Sequence, residues 1–318
     1  MRAFVLSGGG NFGPLQVGAL RALLERGIMP KMVVGCSAGA LNAAFLAQEV
    51  SLARVERLAD LWRMVTQADV YPGSYWGALW RLLLGRDSLY DNRALYAFLQ
   101  RNGVTPATEF AHLRGARLFV TATSLRTGQL HVFGDDPHDR VLDALMASTA
   151  LAPMHPPWEV NGERYVDGGT VTPLPLRVAL ARGATEIYAL DLIGTAPARE
   201  AMTLRGIPAL LRHSIMTTVR LQAQYDVALA RQHRQVRLHY IGLGMENPPP
   251  PTDFDREEEM FEAGYAQTVA QLEHTGKTVE TKEGWSAWLS RFRPRLAVQA
   301  PAPAVAQFSP PYKEPRQS

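Results

Sequence analysis

The sequence predicts an α/β fold in which helices cover both faces of a mostly parallel sheet. Two strand–helix units at the start of the chain carry this prediction, with strands at 3–7 and 32–34 and helices at 14–26 and 38–48. Short apolar strands that alternate with helices are typical of a parallel sheet. A chain of 318 residues with 47% apolar content is also large enough to bury a full core.

Later segments continue this pattern. Apolar segments predict strands at 118–123, 130–133, 187–192 and 236–241, and a short strand that ends at 165–167. Helices are predicted at 51–65, 92–100, 142–150, 174–182, 204–235 and 256–272. The segment 69–85 is rich in aromatic residues and is predicted to be irregular.

The composition excludes several classes of protein. Cys36 is the only cysteine, which rules out an intramolecular disulfide framework and fits a reducing compartment. We find no secretory signal and no run of eighteen apolar residues, so we expect a cytoplasmic protein with, at most, peripheral membrane contact. Residues 291–318 hold five basic residues and one acidic residue, whereas the remainder holds 28 basic and 29 acidic ones. The body of the chain therefore lacks the charge typical of a nucleic-acid-binding protein.

A G-x-S-x-G motif provides a candidate nucleophile. Ser37 lies between Gly35 and Gly39, after an apolar strand and before the small-residue start of a helix. A serine on such a tight turn projects its hydroxyl outward, and the flanking glycines permit the turn. The motif alone occurs often by chance. Its strand–turn–helix context favours a serine acyl hydrolase over a turn with an incidental serine.

A glycine-rich loop at residues 8–13 precedes this nucleophile elbow by one helix. Its G-x-G-x-x-G spacing also fits a dinucleotide-binding turn, which needs an acidic residue at the end of the second strand. No acid is present there. We therefore favour an oxyanion hole formed by the backbone N–H groups of Gly8, Gly9 and Gly10.

Two kinds of base are available to Ser37. A Ser-His-Asp arrangement would need one of four later histidines, His213, His233, His239 or His274. His213 and His233 lie in a predicted helix and His239 in a predicted strand, without flanking turn glycines, and only one strand precedes Ser37, unlike the usual α/β-hydrolase order. Asp167 ends a strand and is followed by Gly168 and Gly169. Its carboxylate is the better candidate for accepting the serine proton, although an ordinary Asp-Gly turn is the alternative.

Together these motifs resemble those of the patatin-like phospholipases. The glycine-rich loop at 8–13, the elbow at 35–39 and the D-G-G motif at 167–169 occur in the family's order. The segment 147–165 and the late helix around 261–265 are also similar to the family. The resemblance covers about residues 1–275, and three ordered motifs make it specific.

The resemblance implies a three-layer α/β/α sandwich with a mostly parallel central sheet and a Ser-Asp dyad that needs no histidine and no metal. Ser37 would be acylated, and water activated by Asp167 would release the fatty acid. Members of the family cleave acyl esters of phospholipids, lysophospholipids or glycerides, and some transfer the acyl group or cleave thioesters. We therefore expect a lipid or fatty-acyl ester substrate, no cofactor and no nucleic-acid partner.

Two segments modify this expectation. Phe12 stands in the glycine-rich loop where the family usually has Arg or Lys, which predicts reduced or altered activity rather than none. Residues 75–84 combine tryptophan with leucine, which predicts either a lid or interfacial patch, or a helix buried under the rim of the site.

We thus expect an acyl hydrolase domain over residues 1–290 and a disordered, basic, Pro/Ala-rich tail over 291–318. The tail would either attract the chain to anionic lipid or act as a solvated linker. Acyl transfer, thioester cleavage and a catalytically weak lipid-binding regulatory role are the alternatives to ester hydrolysis.

Overall fold

Eight strands form one mixed sheet in the computed structural model, which describes residues 1–194 and 205–276. The strands are β1 (Arg2–Leu6), β2 (Met32–Cys36), β3 (Arg117–Ser124), β4 (Leu130–Phe133), β5 (Trp158–Val160), β6 (Glu163–Asp167), β7 (Glu186–Asp191) and β8 (Arg237–Gly242). Hydrogen bonds connect them in the order β5-β6-β3-β2-β1-β7-β8, and β4 pairs with β3. Strands β1, β2, β3, β7 and β8 are mutually parallel, whereas β4 and β6 run antiparallel to β3.

Helices cover both faces of the sheet. They are α1 (Gly13–Glu25), α2 (Ala38–Gln48), α3 (Leu52–Met64), α4 (Gln67–Val70), α5 (Tyr75–Leu83), α6 (Arg93–Arg101), α7 (Val141–Ser148), α8 (Leu176–Ala181), α9 (Ile207–Gln232) and α10 (Glu257–Gly276). Alternate residues of β1 point to opposite faces. Phe4 and Leu6 join a core with α1, α2, α3, α7 and α10, whereas Ala3 and Val5 join a second core with α8 and α9. The predicted three-layer α/β/α arrangement is confirmed.

The strand register brings the ends of β2 and β6 together. Thr121 of β3 pairs with Cys36 of β2, and the next residue, Ala122, pairs with Asp167 of β6. Both Thr121 and Ala122 also pair with β4, which occupies the opposite edge of β3. Strands β2 and β6 therefore share one edge of β3 and end facing each other, because they run in opposite directions.

Most of the predicted elements are present, with ends displaced by a few residues. Helix α2 and strand β4 have the predicted bounds. The segment 69–85 is not irregular as predicted, because it includes part of α4 and all of α5. The hydroxyl of Ser74 accepts a hydrogen bond from the Gly77 N–H and so caps α5. Strand β5 was not predicted.

The proposed boundary between the domain and the tail, at residues 290 and 291, lies outside the described residues. Across the described ranges, no helix combines the length and the apolar content needed to cross a bilayer.

Candidate active site

The turn between β2 and α2 has the strained conformation that the G-x-S-x-G motif predicts. Ser37 has a φ of 54°, which side-chain-bearing residues rarely adopt. A Cβ on Gly35 would lie 2.5 Å from the Cα of Ala40, and one on Gly39 would overlap the carbonyl oxygen of Ser7. Both glycines are needed because the backbone segments pack directly against each other.

A buried serine that the sequence analysis did not single out fixes the orientation of this turn. The N–H of Ser37 donates a hydrogen bond to the hydroxyl of Ser148, at a distance of 2.9 Å. Ser148 is the last residue of α7 and is fully buried. The N–H of Ser37 is thus already bonded, and the anion-binding groups of this site must come from elsewhere.

Asp167 ends β6 in a buried position, 4% exposed. Its N–H donates to the carbonyl of Ala150 at 3.0 Å, and its own carbonyl accepts from the Thr123 hydroxyl at 3.1 Å. Its Oδ1 accepts the N–H of Gly169 at 2.7 Å. Asp167 is therefore held through both its backbone and its carboxylate.

The carboxyl of Asp167 lies near Ser37. Burial raises the pKa of Asp167, and a hydrogen bond from Ser37 acts in the opposite direction, as do weaker ones from the Gly169 N–H and the Cys36 thiol. The Sγ of Cys36 lies 3.7 Å from Oδ1 of Asp167. The structure thus places near each other the two residues that sequence reasoning paired across 130 positions. Their action as a Ser-Asp dyad stays a prediction.

The glycine-rich loop lies against the elbow, and it requires one correction to the predicted oxyanion hole. The N–H of Gly8 donates to the carbonyl of Pro173 at 3.0 Å, so Gly8 is not a free donor. Within the described residues, no acceptor is bonded to the N–H of Gly9 or Gly10. Gly8 instead lets the loop approach Ser37 closely, because a Cβ at this position would lie 3.2 Å from the Cβ of Ser37.

A chain of buried polar side chains holds this loop. Nε2 of Gln16 donates to the carbonyl of Ser7 at 3.0 Å and to that of Leu190 at 3.2 Å. Oε1 of Gln16 accepts from Nδ2 of Asn42 at 2.9 Å, and Oδ1 of Asn42 accepts from Nε1 of Trp62 at 2.8 Å. The buried polar groups of Gln16, Asn42 and Trp62 are therefore paired with one another or with backbone, which makes this arrangement rigid.

Tyr71 belongs to a buried aromatic cluster. It stacks on His155 with ring centroids 5.4 Å apart, and it also contacts Tyr90 and Phe254. Burial raises the pKa of Tyr71, and the charges of Tyr90 and Asp167 act in the same direction. The sequence showed only an aromatic-rich segment here and gave no sign of this packing.

The four candidate histidines occupy other positions. His239 stacks on Tyr188 of β7, with centroids 4.3 Å apart, and its Nε2 lies 3.4 Å from Glu186 at the start of that strand. His274 lies in α10 and bonds to the carbonyl of Ala270. His213 lies in α9, and His233 directly follows it. In the described part of the chain, no histidine is hydrogen-bonded to Ser37.

Phe12 is half-buried and packs against the core that contains α1 and α2. Its N–H donates to the carbonyl of Gly9, which closes the turn of the loop. An effect of Phe12 on activity stays a prediction.

The aromatic helix α5 is exposed. Trp76, Trp80 and Leu83 are 69%, 63% and 69% exposed, and Leu82 and Leu84 are similar. The alternative of a helix buried under the rim is therefore wrong. A lid or interfacial role for this helix stays a prediction.

Two further observations concern other kinds of site. A groove of about 610 Å³ lies at the amino edge of the sheet, where it is lined by Lys31 and Arg117 among others, away from Ser37. Among the residues that the structure describes, no three His, Cys, Asp or Glu side chains cluster as a metal site would require.

The fold and the order of motifs agree with comparisons to known proteins. An α/β/α sandwich that presents a glycine-rich loop and a G-x-S-x-G elbow at one sheet edge defines a class of acyl hydrolases. The family model for patatin-like phospholipase matches residues 4–180. The chain belongs to the patatin-like phospholipase family, whose members hydrolyse lipid esters.

Curated relatives carry lysophospholipase names. The chain is 30% identical over 215 residues to lysophospholipase NTE1 of Mycosarcoma maydis, covering 64% of this chain and 10% of the relative. It is 27% identical over 287 residues to the Candida glabrata protein of that name, covering 82% and 15%. Identity to mouse patatin-like phospholipase domain-containing protein 6 is 28%, over 60% of this chain and 13% of the relative. The chain thus spans a small part of each of these relatives.

Two bacterial proteins of known structure are also similar. VipD from Legionella pneumophila is 17% identical with a TM-score of 0.48, over 86% of this chain and 67% of that one. ExoU from Pseudomonas aeruginosa, in complex with SpcU, is 18% identical with a TM-score of 0.41, over 86% and 51%.

Proposed function

We propose that this chain hydrolyses a fatty-acyl ester of a lysophospholipid or related lipid, with Ser37 as nucleophile and Asp167 as general base. The observation that carries the proposal is the meeting of the ends of β2 and β6, which places Ser37 beside a carboxyl that is 4% exposed, with Sγ of the adjacent Cys36 3.7 Å from its Oδ1. The lysophospholipase names of the curated relatives support the substrate class.

In the first half of the reaction, Oγ of Ser37 attacks the ester carbonyl carbon and its proton passes to the Asp167 carboxylate. The carbonyl oxygen becomes an oxyanion, which the N–H groups of Gly9 and Gly10 stabilise. The tetrahedral intermediate then expels the alcohol part of the lipid, which takes the proton from Asp167. An ester between Ser37 and the fatty acid remains.

In the second half, Asp167 removes a proton from a water molecule as its oxygen attacks the acyl-enzyme carbonyl. The oxyanion forms again at the same N–H groups. Its collapse breaks the bond to Ser37, which recovers its proton from Asp167, and the fatty acid leaves. The raised pKa of Asp167 suits this role because a more basic carboxylate accepts a proton more readily.

The first test is chemical labelling of the full chain with a fluorescent fluorophosphonate. Wild-type protein should be labelled at Ser37, and Ser37→Ala should lose the label. Ser214→Ala is the matched control, because Ser214 is an exposed serine of α9 whose hydroxyl bonds only to the carbonyl of Leu210. Equal labelling of wild type and Ser37→Ala would reject the assignment of the nucleophile.

The second test identifies the reaction. Lysophosphatidylcholine, a diacylglycerol and acyl-CoA are offered together with glycerol, and free fatty acid and new esters are read by mass spectrometry. Release of fatty acid from the lysophospholipid supports the proposal. Formation of acyl glycerol would instead indicate acyl transfer. Release of coenzyme A without lysophospholipid cleavage would indicate thioester cleavage.

A further inference from the structure

One face of α9 is apolar and exposed, and the proposed reaction does not use it. Its large side chains recur at helical spacing and are each more than half exposed: Ile207, Leu210, Leu211, Ile215, Leu221 and Tyr225. Ser214 and Thr218 lie on the same face, so no charge interrupts it. We name these six apolar side chains the α9 apolar face. Exposed apolar surface of this extent marks a contact with another molecule or a membrane.

The α9 apolar face projects beyond the same edge of the sheet, the carboxyl edge, at which the candidate active site lies. Helix α9 has 26 residues, or about 39 Å, whereas β7 has six residues, or about 20 Å. Its buried residues are near its C-terminal end: Ala223, Asp226, Val227 and Ala230. Since α9 leads back to the start of β8, its exposed N-terminal half extends beyond the carboxyl edge of the sheet, where Ser37 lies.

The acid loop and α9 are in direct contact, which fixes this position. Oδ2 of Asp226 accepts the hydroxyl of Thr172 at 2.8 Å, and the N–H of Thr172 donates to the carbonyl of Gly168 at 2.9 Å. Oδ1 of Asp226 lies 2.8 Å from Nε of Arg177. The residues of α9 that precede Asp226 therefore extend outward from the loop that carries Asp167.

The charges of α9 indicate what covers this face. Asp226 is the only acidic residue of the helix, and it is buried and paired. The other charged residues of α9 are Arg212, Arg220 and Arg231. At about 100° per residue the three arginines lie on the half of α9 opposite the apolar face. An apolar face opposite a face charged only by arginine is typical of a helix that lies in the surface of an anionic membrane. A two-fold pairing of two copies would instead bring two helices of like, positive charge together, which is unfavourable.

From these observations we propose that the α9 apolar face binds the surface of an anionic lipid bilayer and holds the Ser37 edge of the sheet against it. The proposal deepens the proposed function, which supplies lipid as the substrate, but it concerns binding and is measured without turnover. The acyl chain of a membrane lipid would then reach Ser37 without crossing bulk water.

The test uses full-length protein and vesicles of ether-linked lipids, which the proposed reaction cannot cleave. Co-sedimentation is compared between phosphatidylcholine vesicles and vesicles that also contain phosphatidylglycerol. Wild-type protein should prefer the anionic vesicles, and Leu211→Glu/Ile215→Glu should reduce the partition coefficient at least tenfold. Leu211→Ser/Ile215→Ser, which adds no charge, should reduce it by a smaller factor.

The control is Met29→Glu, which introduces a glutamate at a 41% exposed apolar residue before β2, at the opposite edge of the sheet. It should bind as wild type does. Hydrolysis of soluble p-nitrophenyl butyrate, if present in wild type, should be unchanged in every α9 variant, and circular dichroism confirms folding in any case.

Failure of wild type to bind anionic vesicles, or equal binding by wild type and the Leu211→Glu/Ile215→Glu variant, would overturn the proposal. So would a wild-type dimer that this variant dissociates without any vesicle binding, since a second copy would then cover the face. Vesicle binding through α9 without hydrolysis of any ester would reject the proposed function and leave the docking surface intact.

Discussion

The nucleophile side and the acid side of the candidate active site are held in place by different forces. Around Ser37, backbone packs directly on backbone at Gly35 and Gly39, and buried amide and indole groups hold the neighbouring loop. On the acid side, hydrogen bonds join the backbone N–H, the carbonyl and the buried carboxyl of Asp167 to neighbouring residues. The conformation of the nucleophile turn therefore depends mainly on close backbone packing, whereas the position of the acid depends on hydrogen bonds. Different substitutions should therefore disrupt the two sides.

The largest effect is expected from Asp167→Asn. The amide keeps the shape of the side chain but cannot accept the proton of Ser37, so kcat/KM should fall about 10²–10⁴-fold. Steady-state hydrolysis of a soluble ester measures this loss. Asp136→Asn, at an exposed aspartate, is the control and should retain full activity. Activity within threefold of wild type would show that Asp167 is not the base.

The same variant should be more stable than wild type at neutral pH. Burial raises the folded-state pKa of Asp167, so the folded state favours the protonated carboxyl. The stability that the protonated carboxyl contributes is fully present below the unfolded pKa and is lost as pH rises through the folded pKa. Asn has no such dependence. The difference in unfolding free energy should therefore grow with pH across that window in urea titrations, and a constant difference would contradict the raised pKa.

On the nucleophile side, Gly39→Ala should damage stability and activity together. The new methyl group would overlap the carbonyl oxygens of Leu6 and Ser7, which are backbone atoms and cannot rotate away. We expect a loss of about 1–3 kcal/mol or more in unfolding free energy. Gly77→Ala in α5 is the control, since its nearest neighbour would be Ser74 Oγ at 3.6 Å. It should be neutral or stabilising by up to about 1 kcal/mol.

A pair of smaller deletions sharpens the comparison between the two sides. Asn42→Ala leaves buried groups of Gln16 and Trp62 without partners and should cost about 2–3 kcal/mol in unfolding free energy. Thr123→Val removes one hydroxyl that bonds to the Asp167 carbonyl and should cost about 1 kcal/mol. Denaturant titration of both variants checks this ranking. An equal or larger loss in Thr123→Val would mean that the two sides are held alike.

The smallest effect is expected at Cys36. Its thiol bonds weakly to Asp167 and lowers the pKa of that carboxyl. Cys36→Ala should therefore move the acidic limb of the kcat/KM profile to higher pH, and Cys36→Ser, with a stronger donor, should move it to lower pH. Shifts in the same direction for both variants would show that cavity or packing effects dominate.

Much of this site could be predicted from the chain alone because its motifs are local. The Ser37 turn needs small residues within two positions on each side, so the signal is complete within five residues. Helix α2 and strand β4 were located with the predicted bounds for the same reason, since apolar periodicity and turn residues act over one element. Helix α5 was missed, although Ser74 was available as a capping signal.

Other features depended on distant residues and could not be predicted. The bond from the Gly8 N–H to Pro173 removes a predicted donor, and nothing near Gly8 in the sequence indicates this partner. The hydroxyl of Ser148 reaches Ser37 from a separate helix in the same way. The exposure of the α9 apolar face was equally hidden, because a periodic apolar helix is usually buried.

The sequence by itself determined the class of fold and predicted the residues proposed to carry the chemistry, since strand–helix alternation and glycine spacing are properties of short segments. Only the tertiary structure decided that the carboxyl comes near the serine. That arrangement requires β6 to return antiparallel on the same edge of β3 as β2, beyond the point where β2 ends, so that Asp167 pairs one position beyond Cys36. Strand order and direction are set by the packing of the whole sheet, which no local segment encodes.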